Sequence, residues 1–326
     1  MQIRKFIIYL VLMVVVKSYG QELNLPVFTQ YLADNNFVIS PTYAGIGDNV
    51  KLRFNGLTQW VGIENAPDNQ AFYGDVRIAD RTGVGLSLYN DRNGNTLQSG
   101  LKISFAHHII LDYYSKQYLS FGLSYNLNSF KLNIHNFDGG YENQVIDGAV
   151  TDDRRTSNNN FDVGLLYRNK GYFLSFNANN ILPKDIDEAI RTLEPDLLLN
   201  YQIYSGITLG RKYGRVEYEP SVFYQMFSSD KRSSTDVNFK VRAYNRKEDY
   251  IWGGVSYRFL NDQFLKPLSI GPMAGFQKGM FYFGYAYQVT TNDIGAYNSG
   301  THLITLGLNF LQGISNCPCT QSPIHY

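Results

Sequence analysis

The chain has 326 residues with a formal net charge of +1, 17% charged residues and 15% aromatic residues, including 26 Tyr. This composition has neither the basic excess of a nucleic-acid-binding surface nor the acidic excess of a disordered chain. We therefore expect no nucleic-acid partner. The length allows two ordinary domains or one large all-β barrel.

The first twenty residues, MQIRKFIIYLVLMVVVKSYG, have the pattern of a secretory signal peptide. Arg4 and Lys5 give a charged start, an apolar run follows over 6–16, and the small residue Gly20 precedes the expected cut. The apolar run is shorter than the roughly 20 residues that a bilayer-spanning helix needs. We therefore expect residues 1–20 to be a signal peptide and the mature chain to be exported.

Fourteen segments of the mature chain alternate apolar and polar residues or are rich in β-branched and aromatic residues, as β-strands are. No long stretch carries an apolar period of 3.6, so we predict an all-β fold. The predicted strands are 50–60, 70–79, 83–90, 97–111, 117–131, 160–169, 171–181, 199–211, 215–227, 234–245, 249–260, 266–277, 279–290 and 301–311.

The links between these strands differ in length according to their parity. Even-numbered links are tight and polar, whereas odd-numbered links are often longer, above all 132–159 and 182–198. A soluble sandwich has no reason to sort its loops in this way, but outer-membrane barrels have short periplasmic turns and longer outer loops. We predict a 14-stranded antiparallel transmembrane β-barrel of outer-membrane type over 50–311. Residues 21–49 are then an N-terminal periplasmic or plug segment, and 312–326 a C-terminal tail.

The stretch QYLSFGLSYNLN at 117–128 indicates which face of a strand meets lipid. Leu123 and the residues of its parity are apolar, whereas Ser124 and the residues of its parity are small and polar. A water-facing sheet would carry more Lys and Glu, and small neutral residues suit a crowded, wet lumen better. We predict that the apolar face meets lipid and the Ser/Asn face looks inward.

Four charged residues fall on the inward parity of two neighbouring predicted strands. They are Glu217, Glu219, Lys240 and Arg242. The short loop between the strands would place Glu219 opposite or diagonal to Arg242. We interpret the four as structural ion pairs in a filled barrel. The alternative is a charged constriction that filters a solute.

The sequence contains no motif that indicates catalysis or a cofactor. HExxH, GxSxG, a Walker loop and a dinucleotide-binding fingerprint are all missing from it. His107 and His108 are adjacent on a predicted strand, so they point to opposite faces and cannot share a ligand. DRNGN at 91–95 lacks the carboxylates of a calcium loop, and its Asn93-Gly94 predicts a hairpin turn. We expect no enzyme activity and no cofactor.

The two cysteines, Cys317 and Cys319, lie two positions apart near the C-terminus. They could pair in an oxidising compartment, although a single intervening residue makes a strained ring. A metal site with His325 would have too few ligands, so the interpretation favoured is an ordinary tail.

Five stretches in chain order carry a known pattern. They are PVFTQYLADNNFVISPTYAG (26–45), LTQWVGIENAP (57–67), GVGLSLYNDRNGN (83–95), DYIWGGVSYRF (249–259) and FYFGYAYQVTTNDIGAYNSGTHLITLGLNF (281–310). Together they resemble the PorP/SprF family of outer-membrane proteins of the type IX secretion and gliding-motility machinery. The resemblance covers essentially the whole mature chain.

The residues that match the family motif are Gln30, Tyr31, Pro41, Tyr43, Gly45, Gln59, Trp60 and Pro67. We interpret the prolines and Gly45 as plug or turn geometry. Gln59-Trp60 is interpreted as a membrane-interface residue beside a lumen hydrogen bond. Gln288 and Leu303 stand where the family usually has acidic residues, so the role of those acids is not carried over.

The resemblance implies a barrel akin to fatty-acid-transporter-like barrels, embedded in the lipid of the cell outer membrane. It implies partnership with other type IX secretion components and, in the SprF branch, with the C-terminal domain of a secreted adhesin at the cell surface. Loops 132–159 and 182–198 are the expected contact surfaces. A passive or hydrophobic-solute channel and a soluble secreted β-sandwich adhesin are the alternatives.

Overall fold

The computed structural model describes most of the mature chain. The described residues are 35–47, 49–63, 65–132, 154–182, 199–210, 214–228, 231–245, 249–261, 266–291, 293–311 and 317–320. The expected signal peptide lies outside these residues, as do the greater parts of the two longest loops.

Fourteen antiparallel strands form one closed barrel. The strands are β1 Asn49–Thr58, β2 Asp68–Ala79, β3 Thr82–Asn93, β4 Thr96–Asp112, β5 Gln117–Leu132, β6 Arg154–Asn169, β7 Tyr172–Asn179, β8 Asn200–Ile207 with its continuation Leu209–Gly210, β9 Val216–Phe227, β10 Ser233–Tyr244, β11 Tyr250–Leu260, β12 Lys266–Lys278, β13 Phe281–Thr290 and β14 Thr301–Leu311. Each strand pairs with the next, and β1 pairs with β14. This ring confirms the predicted all-β barrel.

Several strands are longer than the alternation predicted, β6 and β3 by the most. Strand β6 begins at Arg154 and not at residue 160. Its first residues are polar on both faces and so show no alternation, but they pair with the end of β5. Strand β3 continues to Asn93, which pairs with Thr96. The hairpin turn therefore lies one residue later than predicted, and Gly94 adopts a φ of +58° there.

The links sort to the two ends of the barrel as predicted. The short-turn end carries the links 80–81, 113–116, 170–171, 211–215, 245–249 and 279–280. The long-loop end carries 59–67, 94–95, 133–153, 180–199, 228–232, 261–265 and 291–300. The first strand begins and the last strand ends at the short-turn end, so the chain enters and leaves the barrel on the same side.

The two faces of each strand have the predicted environments. On β5, Phe121 and Leu123 are 44% and 47% exposed, whereas Ser120 and Ser124 are fully buried. The exposed apolar residues form the outer surface of the barrel, where hydrocarbon replaces water as the solvent. The small polar residues look into the lumen, as predicted.

Part of the lumen is packed like a protein core. Residues 35–47, here called the lumenal segment, lie inside the barrel and form two short 3₁₀ turns, Asn36–Val38 and Pro41–Tyr43. Buried apolar residues of this segment pack against inward-facing wall residues. This cluster contains Phe37, Ile39, Tyr43, Ala44, Ile46, Ala71, Tyr73, Ala106, Leu166, Phe173, Tyr204 and Phe223.

Candidate functional site

Glycines on the inner wall make room for the lumenal segment. They are Gly83, Gly85, Gly122 and Gly164. A Cβ atom at Gly85 would lie 2.2 Å from the ring of Phe37, and one at Gly83 would lie 2.2 Å from the carbonyl oxygen of Ala44. Both distances are far below van der Waals contact, so a larger residue would displace the segment. The wall and the segment are therefore complementary in shape.

The motif residues Pro41 and Gly45 shape the lumenal segment. Pro41 begins the second 3₁₀ turn, and the hydroxyl of Ser40 caps that turn by accepting the Thr42 N–H at 3.2 Å. Gly45 has a φ of +77°, a conformation that favours glycine. Its N–H donates to a carboxylate oxygen of Asp75 on β2 at 3.0 Å. Local turn chemistry and one wall carboxylate thus fix the end of the segment.

Two polar wall residues, His108 and Arg77, hold the backbone carbonyls of the segment. Nε2 of His108 lies 3.0 Å from the Ala44 carbonyl oxygen, and its Nδ1 lies 2.8 Å from the Ser120 hydroxyl. A carbonyl can only accept, so Nε2 donates to Ala44, and in the neutral imidazole Nδ1 then accepts from the Ser120 hydroxyl. Nε of Arg77 donates to the carbonyl of Gly45 at 3.2 Å.

Residues 317–320, here called the C-terminal turn, also lie inside the short-turn end. The carbonyl of Thr320 accepts from Arg77 Nη2 at 3.0 Å and from the Gly47 N–H at 2.7 Å. Thr320 is fully buried. The same guanidinium therefore joins the lumenal segment to a portion of the expected C-terminal tail.

A second arginine and a disulfide complete this contact. Nη2 of Arg168 donates to the carbonyl of Cys319, and its guanidinium lies 5.6 Å from the centroid of the Tyr118 ring. Cys317 and Cys319 are joined by a disulfide, and Cys319 is fully buried. The pairing that the spacing made uncertain is thus present in the structure.

The four charged residues predicted to meet do lie together. Glu219 accepts from Lys240 at 3.0 Å and from Arg242 at 2.8 Å. Arg242 also lies 3.8 Å from Glu217, which accepts from the Tyr244 hydroxyl at 3.0 Å. All four side chains are largely buried, and every charge faces an opposite charge.

Further lumen charges were not singled out from the sequence. Lys102 pairs with Asp162 at 2.6 Å, and Arg258 makes a bidentate pair with Asp236 at 2.6 Å. These charged residues could have been predicted from the sequence to face the lumen, because each lies on the inward parity of its strand. In each of these contacts a cation faces an anion.

Tyr43 is buried in the lumenal segment, and the remaining motif residues lie near the long-loop end or outside the described residues. Gln30 and Tyr31 belong to the latter group. The Gln59 N–H donates to the Pro67 carbonyl at 2.9 Å, which closes the base of the loop after β1. Trp60, half-buried, follows with a φ of +48°.

The two positions that usually hold acids face inward. Gln288 is 4% exposed and Leu303 is 3% exposed. Leu303 packs in a second buried apolar cluster with Trp252 and Met273.

The described ranges contain neither a metal-ion cluster nor a membrane-crossing helix. Within these ranges, no three His, Cys, Asp or Glu side chains are grouped so that they could hold a metal ion. The described residues also include no helix with the length and apolarity needed to cross a membrane.

A match to a protein-family model identifies the family of this barrel. The model for type IX secretion system membrane proteins of the PorP/SprF type matches residues 20–308. The chain belongs to the PorP/SprF family. The match includes the lumenal segment and extends into β14, so it confirms the resemblance over the barrel.

Membership of the PorP/SprF family agrees with the barrel fold and gives its location. The family is a secretion-system membrane protein family and not an enzyme family. A closed β-barrel of this family resides in the cell outer membrane. The chain is thus a type IX secretion outer-membrane barrel.

Several solved structures resemble this PorP/SprF member at a distance. The CymD monoaromatic hydrocarbon channel has 10% identity and a TM-score of 0.46, over 85% of this chain and 91% of CymD. A Pseudomonas aeruginosa FadL homologue has 9% identity and a TM-score of 0.45, over 80% and 89%. CdiB from Acinetobacter baumannii has 9% identity and a TM-score of 0.45, over 80% of this chain and 60% of CdiB. A search of curated proteins finds no match.

Proposed function

We propose that this barrel receives or anchors a secreted adhesin at the cell surface, through the C-terminal domain of the adhesin and together with other type IX secretion components. The observation that carries the proposal is the fit between the lumenal segment and the inner-wall glycines, since a filled barrel is poorly suited to solute passage. The partner then binds at the long-loop end of the barrel. In this proposal the barrel has no catalytic role.

Residues 21–49 act as the plug in this proposal, and 312–326 supply a tail that helps to hold it. Burial of the lumenal segment supports this role, as do the hydrogen bonds from Arg77 and His108. The four-residue ion cluster is structural, because its charges neutralise one another inside the wall. Filters built from charged side chains use rings of one sign, such as acids for cations.

The partner contacts the outer loops 132–159 and 182–198 in this proposal. Strands β5 and β6 each have 16 residues, whereas a tilted strand needs about 9–11 to cross the membrane. The hairpin of these strands therefore extends beyond the bilayer on the side that outer-membrane barrels turn toward the medium. A protruding hairpin gives a partner domain a surface to bind.

Loop replacement in the full-length barrel tests the proposal. Leu132 and Arg154 are direct partners, so an Asn-Gly turn can replace 133–153 and close the hairpin. A second variant replaces 183–198 by a short Gly-Ser link. The matched control shortens 261–265, another link at the long-loop end. Co-purification of the adhesin C-terminal domain in mild detergent is the readout, with heat-modifiable migration in gels to verify assembly.

We expect either loop replacement to reduce capture at least tenfold and the control to leave it unchanged. Unchanged capture with both loops replaced would show that the contacts lie elsewhere. If the unaltered barrel captures no secreted protein from cells that produce the adhesin, the proposed function is wrong.

A further inference from the structure

The proposed function gives the C-terminal turn a holding role but does not explain its disulfide. Its carbonyl groups accept hydrogen bonds from Arg77 and Arg168, two arginines that are 2% and 7% exposed. A buried guanidinium depends strongly on such acceptors, because water cannot replace them there. The position of the turn therefore affects how well both arginines are satisfied.

The turn also binds the lumenal segment directly. The Gly47 N–H donates to the Thr320 carbonyl, and Arg77 bridges that same carbonyl to Gly45. The disulfide closes a small ring around Pro318, immediately before Thr320. A constraint on the backbone of the turn, such as the disulfide, therefore also fixes the Thr320 carbonyl that holds residues 45–47.

We propose that the Cys317–Cys319 disulfide is a thiol–disulfide exchange site that locks the lumenal segment, and that a periplasmic dithiol protein opens it. The site lies at the short-turn end, which faces the periplasm in outer-membrane barrels. The locked state is the disulfide state that the structure contains. Reduction lets the turn leave the two arginines, and the segment then opens toward the periplasm.

The burial of the two cysteines sets the order of the exchange. Cys319 is fully buried, whereas Cys317 is partly exposed. A thiolate of the partner attacks the Cys317 sulfur, forms a mixed disulfide with it, and releases the Cys319 sulfur as a thiolate that takes up a proton. The second thiol of the partner then attacks the mixed disulfide and releases Cys317. Two electrons pass to the barrel cysteines, and the partner dithiol becomes a disulfide.

Hydrogen–deuterium exchange of the full-length barrel in lipid nanodiscs tests the inference, with dithiothreitol as the dithiol. Alkylation and mass measurement first establish whether the purified barrel has the disulfide. We expect dithiothreitol to raise amide exchange in residues 44–47 at least tenfold while exchange in β5 stays constant. The variant C317S/C319S should exchange rapidly in this segment from the start and should not respond to dithiothreitol.

Three outcomes would overturn the inference. The first is free thiols at both cysteines in barrel purified from oxidising conditions. The second is equal exchange of residues 44–47 in the oxidised and reduced protein. The third is an equal effect of dithiothreitol on C317S/C319S, which would show that the reductant acts elsewhere. None of these measurements involves an adhesin, so the inference and the proposed function fail independently.

Discussion

Nε2 of His108 lies 3.0 Å from the carbonyl oxygen of Ala44 and so links a membrane-spanning strand to the segment inside the barrel. His107, its neighbour in sequence, lies on the other face and contacts the Thr82 hydroxyl at 3.2 Å. The two histidines of β4 thus make contacts on opposite faces of the barrel wall. His107 can therefore serve as the control when the role of His108 in holding the lumenal segment is tested by substitution.

The first prediction concerns this pair. His108→Ala leaves the Ala44 carbonyl and the Ser120 hydroxyl without their buried partner, which destabilises the filled barrel by about 1–3 kcal/mol. His107→Ala should change stability by less than about 0.5 kcal/mol, because the side chain is exposed. Urea unfolding in lipid vesicles measures both. Equal losses for the two variants would refute a specific role for His108.

The second prediction concerns the glycine wall. A Cβ at Gly85 would overlap the Phe37 ring, so Gly85→Ala should destabilise the barrel by about 1–3 kcal/mol. The double variant F37A/G85A should lose less than the sum of the single variants, since the ring that clashes is gone. Gly253→Ala is the control, because its Cβ would meet only the Met273 carbonyl at 3.8 Å. Strict additivity in the double-mutant cycle would mean that Phe37 does not pack on Gly85.

The third prediction depends on the asymmetry of the ion cluster. Glu219 contacts both Lys240 and Arg242, so it keeps Arg242 as a partner when Lys240 is lost. Glu219→Gln removes the carboxylate that both buried cations contact and should cost about 3–5 kcal/mol. Lys240→Met should cost clearly less, because Arg242 still neutralises Glu219. Urea midpoints of the two variants test the order, and a larger loss for Lys240→Met would contradict it.

The strand pattern and the assignment of faces could be predicted because period-two alternation reports directly on a wall between lipid and lumen. Alternation fails where both faces are polar, and this is why the first residues of β6, from Arg154 onward, were missed. The charged cluster was predicted because Glu219 and Lys240 share inward parity on neighbouring strands.

The interior of the lumen was harder to predict. The lumenal segment has no periodic pattern, since its 3₁₀ turns are short and its contacts come from strands far away in the chain. The space that the segment occupies nevertheless depends on inward-facing glycines such as Gly83 and Gly85, which are visible in the sequence. The disulfide between Cys317 and Cys319 was left open, because spacing alone does not reveal the wall arginines that receive the C-terminal turn.

The most direct test of the filled barrel is its conductance in planar lipid bilayers. We predict that the full-length mature chain inserts without measurable ion conductance, because residues 35–47 and the lumen ion pairs fill the interior. Deletion of residues 21–47 should produce discrete conductance steps from barrels of the same heat-modifiable fold. Equal conductance of the intact and deleted barrels would contradict the account and favour a passive or hydrophobic-solute channel.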